Sequence, residues 1–255
     1  MKNGLQYPLD LITVLVQKEF KARYKNNFLG YLWSIGNPLA FAAVFYIAFK
    51  VIMKIQMEDY PLFIITGLFP WQWFYNSISS SSVVFLRNTS LIKKVSFQRN
   101  FLPLSATIND MLHFLLSIPV ILLLLLIYGR PLFLSYVYGI PLLLAIQLLL
   151  TYGLCLLFSC LTLFFRDLER LTLIFLMILF YFTPIIYPES MIPPAYHHFI
   201  YLNPQALIIV NWRHLFYDGT LVPSYLLVSL AYGIVSWLIG QAVYNKLSWK
   251  FAEIV

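Results

Sequence analysis

Six runs of apolar residues dominate the chain, at residues 33–53, 62–85, 107–127, 135–160, 171–187 and 222–244. A hydrocarbon layer about 30 Å thick takes about 20 helical residues to cross, and the runs are close to that length. In lipid every backbone N–H and C=O needs a partner within its own segment or in a closed barrel. These runs are continuous rather than alternating, so they predict helices and not barrel strands. The fifth run is short, and Pro184 interrupts its far end. Of the 255 residues 61% are hydrophobic and only 11% charged, against about 45–50% apolar residues in ordinary soluble domains. The expected fold class is an all-α integral membrane protein with six transmembrane helices.

Basic residues orient those helices. An excess of 17 Lys and Arg over 10 Asp and Glu would suggest nucleic acid in a soluble protein. Beside membrane spans it is first a topology signal. With the N terminus in the cytoplasm, thirteen of these cations fall inside, and only Lys50, Lys54, Arg130 and Arg213 fall outside. The bias places both termini in the cytoplasm, requires an even number of spans and gives no ground for a nucleic-acid partner.

Before the first run, Leu9, Ile12, Val16, Phe20 and Tyr24 recur at helical spacing, opposite Asp10, Gln17, Lys21 and Lys25. This pattern predicts an N-terminal amphipathic helix on the membrane surface. A soluble helix packed on a partner protein is the alternative, and the abutting basic cluster favours the interface. Asn26 and Asn27 then disfavour an unbroken helix, and Leu29-Gly30 supplies a turn into the first span.

Three connections are informative. Residues 87–104 offer Asn88, Thr89 and Ser90 as helix caps, followed by Leu91, Ile92, Val95 and Phe97 among four basic residues. They predict a short helix presented to a partner, with a solvated positive-inside loop as the alternative. Residues 165–171 carry both charge signs, and of Arg166 with Arg170 and Asp167 with Arg170 only the second is a favourable pairing, a weak one when exposed. The outer connection, 188–221, is too apolar for a solvated loop. Pro193, Pro194, Pro204, His197, His198, Asn211, Arg213 and His214 cut it into two short helical pieces. Such pieces either dip into the outer leaflet under cover of protein or rest on its surface.

The chain shows no nucleophile, base and orienter set, and its four His have no metal-ligand spacing. Cys155 and Cys160 lie within one apolar run and read as small buried hydrophobes. No Gly-Lys-Ser/Thr phosphate loop occurs. Asp110 sits near the cytoplasmic end of the third run, and the middles of the runs hold no acidic residue, so an ion-coupled carrier is not expected. A transporter of this composition needs its motor on another chain.

Several motifs then coincide in order: Arg23-Tyr24-Lys25 with Leu29 to Trp33 and Pro38, the basic connection at 91–103, Arg166-Asp167, the PIIYP stretch at 184–188, and Asn203-Pro204 ahead of Arg213 and Gly219. Over nearly the whole chain they resemble the membrane subunit of ABC-2 exporters, most of all permeases for O-antigen, capsule or teichoic-acid-type polymers. The resemblance implies a single permease domain over 1–255. Interface helix and elbow would occupy 1–32, spans one to five 33–187, short outer re-entrant gate helices 188–221, and span six with a cytoplasmic tail 222–255. It implies a multi-pass protein of the bacterial plasma (inner) membrane, a homodimer bound to two P-loop ATPase subunits. Those subunits would hold ATP and magnesium, with no cofactor, metal or catalytic residue in this chain.

The implied cargo is a polysaccharide on a polyprenyl diphosphate lipid. Arg23, Tyr24, Lys25, Leu29 and Gly30 are the headgroup candidates, with anionic-lipid anchoring as the alternative for the two cations. Trp33, Phe41, Phe45, Phe49, Trp71, Phe74 and Tyr75 are candidates to line the path, with helix packing or interface belts as the alternative. Thr89, Ser90, Leu91, Lys93, Lys94, Phe97, Arg166 and Asp167 would couple to the ATPase, the helix running from 89 to 97. Pro184, Tyr187, Pro188, Asn203, Pro204 and Arg213 would form the outer gate. A membrane-embedded enzyme acting on lipid-linked sugar, or an ABC-2 exporter of a different lipid or drug, are the competing functions.

Overall fold

The computed structural model describes residues 6–24, 36, 39–40, 43–44, 46–52, 54 and 59–254. Among these, all regular structure is helical. The order is α1 (Gln6–Tyr24), a π-helical segment (Tyr46–Ile52), α2 (Tyr60–Ser82), α3 (Val84–Arg87), α4 (Thr89–Lys94), α5 (Phe101–Ile127), α6 (Tyr136–Phe164) and α7 (Leu168–Phe182). Two 3-10 segments, Glu189–Met191 and Pro194–Leu202, lead to α8 (Pro204–Asp218) and α9 (Pro223–Leu247). A last 3-10 turn, Ser248–Lys250, passes into α10 (Phe251–Ile254).

Three described helices are long and apolar enough to cross a membrane: α5, α6 and the stretch from Pro223 through Lys250. They cover the third, fourth and sixth apolar runs. Most of the first run lies outside the described residues. The second run breaks at Val83, between α2 and α3. The fifth gives a helix of 15 residues, which rises only about 22 Å. It starts earlier than its apolar run and stops before Thr183, which is extended at φ −98° and ψ 132°. Pro184 follows, and its ring disfavours helical angles at the residue before it.

The core is assembled around α2, most of whose side chains are buried. Trp73 stacks on Phe114 of α5 at 5.7 Å, and Phe114 meets Trp212 of α8 edge-on at 5.0 Å. Trp73 also donates to the Thr107 carbonyl at 3.2 Å, and Ser77 Oγ donates to Asp110 Oδ2 at 3.1 Å. α6 and α9 run closest together: a Cβ on Gly153 would stand 2.4 Å from the Trp237 nitrogen, and one on Gly240 2.5 Å from the Gly153 carbonyl oxygen. Small residues at such a seam let two membrane helices gain dispersion contact without a hydrophobic drive. Large apolar side chains of α5, α7 and α9, among them Leu123, Phe182 and Leu227, stay exposed on the outside, as lipid requires.

α1 keeps the expected stripe in part, with Ile12, Val16 and Phe20 half-buried. Its face toward the bundle carries Leu11 and Leu15, Phe20 stacks on His113 of α5 at 5.0 Å, and Leu9 is exposed. His113 is thus a buried packing partner of α1.

Candidate functional site

At the end of the bundle beyond α7, α8 is set by its own sequence. Asn203 caps it: its Oδ1 accepts from the Gln205 and Ala206 N–H groups at 3.1 and 3.2 Å, and Pro204 fills the first helical position. The same amide donates to Thr183 Oγ1 at 2.9 Å, fastening α8 to the end of α7. Gly219 stops the helix at φ +65°, where a Cβ would strike the Phe133 ring at 2.3 Å. Eight residues in a row, Gln205 to Trp212, are buried, so α8 is packed within protein.

Arg213 and Tyr60 tie the PIIYP stretch to this helix and to α2. The Arg213 guanidinium sits 3.5 Å over the Phe63 ring and donates to the carbonyls of Pro184 at 2.9 Å and Ile185 at 3.2 Å. Tyr60 donates to the next carbonyl, Ile186, at 3.0 Å, and Tyr187 donates to Tyr181 at 3.0 Å. Pro188 leads into the first 3-10 turn. Pro184, Tyr187, Pro188, Asn203, Pro204 and Arg213 therefore form one connected unit. Beside it, His214 Nδ1 lies 3.0 Å from Asp218 Oδ2 and its Nε2 3.8 Å from Glu189 Oε1, the latter an ion-pair distance. Glu189 pushes the His214 imidazole above its ordinary pKa, and His214 in turn holds the Glu189 carboxyl below the usual carboxylate range.

Between α2 and α7 opens a cleft of about 570 Å³. Trp71, Tyr75, Phe180 and Tyr181 give it aromatic walls, Gln72 and Asn76 give it amide groups, and Leu68, Leu173, Ile174, Leu176 and Met177 complete it. Trp71 meets Phe180 edge-on at 5.6 Å. Trp71 and Tyr75 thus share the cleft, whereas Phe74 is fully buried in the core and does not line it. Aromatic faces with amides between them suit sugar rings, which offer apolar C–H faces and hydroxyl edges.

At the opposite end of the bundle, the connection after α2 does form a helix, but α4 ends at Lys94. Val95 is extended at φ −127° and ψ 131°, so the helix is shorter than the expected 89–97; a β-branched residue favours that geometry. Asn88 occupies the cap position without capping: its Oδ1 accepts from Lys18 Nζ at 2.7 Å and its amide donates to the Val84 carbonyl. Thr89 Oγ1 bonds back to Leu86. Ile92 is buried, Leu91 and Phe97 are half-buried, and Ser90, Lys93 and Lys94 are exposed. Arg166 and Asp167 are exposed just before α7. Of the headgroup candidates, Arg23 and Tyr24 close α1, while Lys25, Leu29 and Gly30 lie outside the described residues, as do Trp33, Phe41 and Phe45. Phe49 falls in the π-helical segment.

The ABC-2 type transporter family matches residues 10–217. The chain belongs to the ABC-2 type transporter family. It is 46% identical over 255 residues to the O-antigen export system permease protein RfbA of Klebsiella pneumoniae, covering all of this chain and 98% of that protein. RfbA of Myxococcus xanthus is 31% identical over 249 residues, covering 96% and 95%. The polysialic acid transport protein KpsM of Escherichia coli is 26% identical over 252 residues, covering 96% of each. The family match starts within α1 and ends in the last turn of α8, enclosing the cleft, α4 and the unit around Arg213.

Three features of this ABC-2 membrane subunit carried no sequence signal. Trp212 Nε1 donates to Gln147 Oε1 at 2.7 Å, and Gln147 donates to the Pro70 carbonyl at 2.7 Å, a wholly buried relay across α8, α6 and α2. Arg130 donates to Asp59 through Nε and Nη2, at 2.9 and 2.6 Å, and stacks 5.2 Å over Tyr217. Phe251, outside every apolar run, is fully buried. Each depends on a partner 70 or more positions away, or nearly so, where local patterning is silent.

Proposed function

We propose that this chain is the membrane subunit of an ATP-driven exporter that moves a lipid-linked polysaccharide from the cytoplasmic side across the bacterial inner membrane. The observation that carries the reading is the full-length likeness to proteins named O-antigen export permeases. The aromatic and amide-lined cleft supports it, because such walls offer a sliding surface that does not demand one hydroxyl pattern. The exposed Lys93 and Lys94 on a short helix support docking of a partner there.

In this reading two copies of the chain pair, and two P-loop ATPase subunits, carrying ATP and magnesium, dock on α4 and the Arg166-Asp167 corner. The chain itself performs no covalent chemistry. Six spans place both termini in the cytoplasm, with the first span within 33–53 and α7 as the fifth. The unit from Pro184 to Gly219 acts as the outer re-entrant gate, and Arg23 to Gly30 meets the lipid diphosphate. ATP shifts the conformational balance only if the motor holds α4 differently in its two states.

The test is transport by the permease and its ATPase reconstituted in vesicles with lipid-linked polymer. Polymer should cross only with ATP, and Trp71→Ala with Tyr75→Ala should slow it by about tenfold, a loss of about 1.4 kcal/mol. A covalently altered sugar product formed by the chain without any ATPase would sink the reading in favour of an enzyme.

A further inference from the structure

α4 is six residues long, too short to hold a helix by itself. Ile92 is its one fully buried side chain. What fixes α4 is therefore the surface beneath it, and that surface centres on Phe251, the first residue of α10. The Phe251 ring is fully buried and meets Phe85 at 4.8 Å, Tyr244 at 5.9 Å and Phe164 at 6.3 Å between centroids. Arg99, in the connection leaving α4, lies 6.0 Å over the same ring and donates to the Ser248 carbonyl at 2.9 Å. The apolar cluster around Phe251 takes in Ile92 of α4, Leu15 of α1, Leu102 of α5 and Leu163 of α6. α10 packs against both α4 and α6. This cluster is separate from the core around Trp73.

We infer that Phe251 is a positioning residue of energy coupling, the filled floor through which a displacement of α4 carries α1 and α6 with it. The inference rests on the reading of α4 as the ATPase contact. A short helix anchored by Ile92, with Leu91 packed beside it, transmits a push only where the space beneath it is full, because close-packed interiors pass strain on and voids absorb it. Truncating the ring leaves a cavity that its neighbours refill only in part. α4 then tilts into the gap without moving the bundle. Arg99 serves the same end by pinning the backbone at Ser248, so the floor does not slide as α4 is pressed. Phe251 touches no cargo in this role, and its effect appears in the ratio of polymer moved to ATP used.

The experiment uses the complete permease–ATPase complex in vesicles, with Phe251→Ala, Phe251→Leu, Arg99→Gln and the pair Lys93→Glu with Lys94→Glu. Three quantities are read: ATPase retained on the permease, ATP hydrolysed, and polymer exported per ATP. Phe251→Ala should keep the ATPase bound and hydrolysing while exporting about tenfold less per ATP, with Phe251→Leu recovering much of the loss. Export per ATP at the wild-type value, or hydrolysis and export falling in equal proportion, overturns the inference and leaves Phe251 a packing residue. Where Phe251→Ala does not accumulate, Arg99→Gln decides: a wild-type ratio of export to ATP in that variant overturns it equally. The lysine pair separates the two claims. If that variant keeps its ATPase and exports normally, the reading of α4 fails. If it loses the ATPase while Phe251→Ala keeps a wild-type ratio, the Phe251 inference alone fails.

Discussion

The ammonium of Lys18 on α1 donates a 2.7 Å hydrogen bond to the side-chain oxygen of Asn88, the residue immediately before α4. Asn88 is buried and its amide group is committed to the Val84 carbonyl at 2.9 Å. The bond thus joins α1 to the short helix at its root, and a charged donor makes it stronger than a neutral one. Asn88→Ala should lower the thermal midpoint of the detergent-solubilised protein by about 3–6 °C, for a loss of about 1–2 kcal/mol. Lys18→Ala should cost less, since Lys18 is exposed. The double variant should be no worse than Asn88→Ala alone. Simple additivity of the two losses would show that the bond does not form in solution.

A second prediction concerns the relay from Trp212 through Gln147 to the Pro70 carbonyl. Both side chains are fully buried, so removing one donor strands an acceptor that water cannot reach. Trp212→Phe should destabilise the protein by about 1–2 kcal/mol, at the upper end of interhelical hydrogen bonds in membranes. Adding Gln147→Leu should recover part of that loss, because two apolar partners leave less unsatisfied than one. Tryptophan-fluorescence unfolding of the single and double variants measures it. A double variant as unstable as the sum of its parts would contradict the relay.

How far the sequence reaches is visible at single residues. Asn203-Pro204, singled out only as a motif, starts α8, because a cap is satisfied by N–H groups two and three residues on. Asn88 reads as a cap and is not one, because Lys18, 70 positions away, takes its oxygen. Apolar runs locate α5, α6 and α9 because lipid imposes a length on them. They overstate α7, where Pro184 ends the helix. Trp71, Phe74 and Tyr75 fall together by helical spacing, but α2 is enclosed on nearly all sides, so the one pattern serves both cleft and core. Phe251 lies outside any periodic segment, and only its tertiary surroundings reveal it.

The α6–α9 seam gives a third prediction with its own control. A methyl group on Gly153 would meet backbone atoms of Ser236 and Trp237 at 2.5 and 2.4 Å, and backbone has nowhere to go. Gly233 faces the same seam from the α9 side, but its nearest contact would be a Leu149 side-chain carbon at 3.3 Å, which can yield. Gly153→Ala should therefore destabilise by about 1–3 kcal/mol, the range for an overpacked core. Gly233→Ala should stay within about 0.5 kcal/mol of wild type. Thermal unfolding in one detergent compares them, and equal midpoints for the two variants would count against the close approach.

The last prediction is a pH dependence set by His214. Its imidazole is raised above 6.5 by Glu189 and then by Asp218, against the opposing effect of burial. A raised base contributes stability that is complete below its unfolded pKa and is lost as pH climbs through the folded one. Glu189 is shifted the other way, below 4.5, so its share is present above that value and is lost only as pH falls through its folded pKa. The two windows overlap from about pH 4.5 to 6.5, where carboxylate and imidazolium are both charged. The imidazole and the carboxylate are each about a third exposed, so solvent screening keeps the gain to about 0.2–1 kcal/mol. Wild type minus His214→Gln should thus show a midpoint advantage of about 1–3 °C at pH 6 that fades by pH 8.5. Glu189→Gln should shrink that advantage at pH 6, because the larger of the two influences on His214 is gone. An advantage that grows with rising pH would mean that His214 is held neutral in the folded protein, and the assigned ion pair would be wrong.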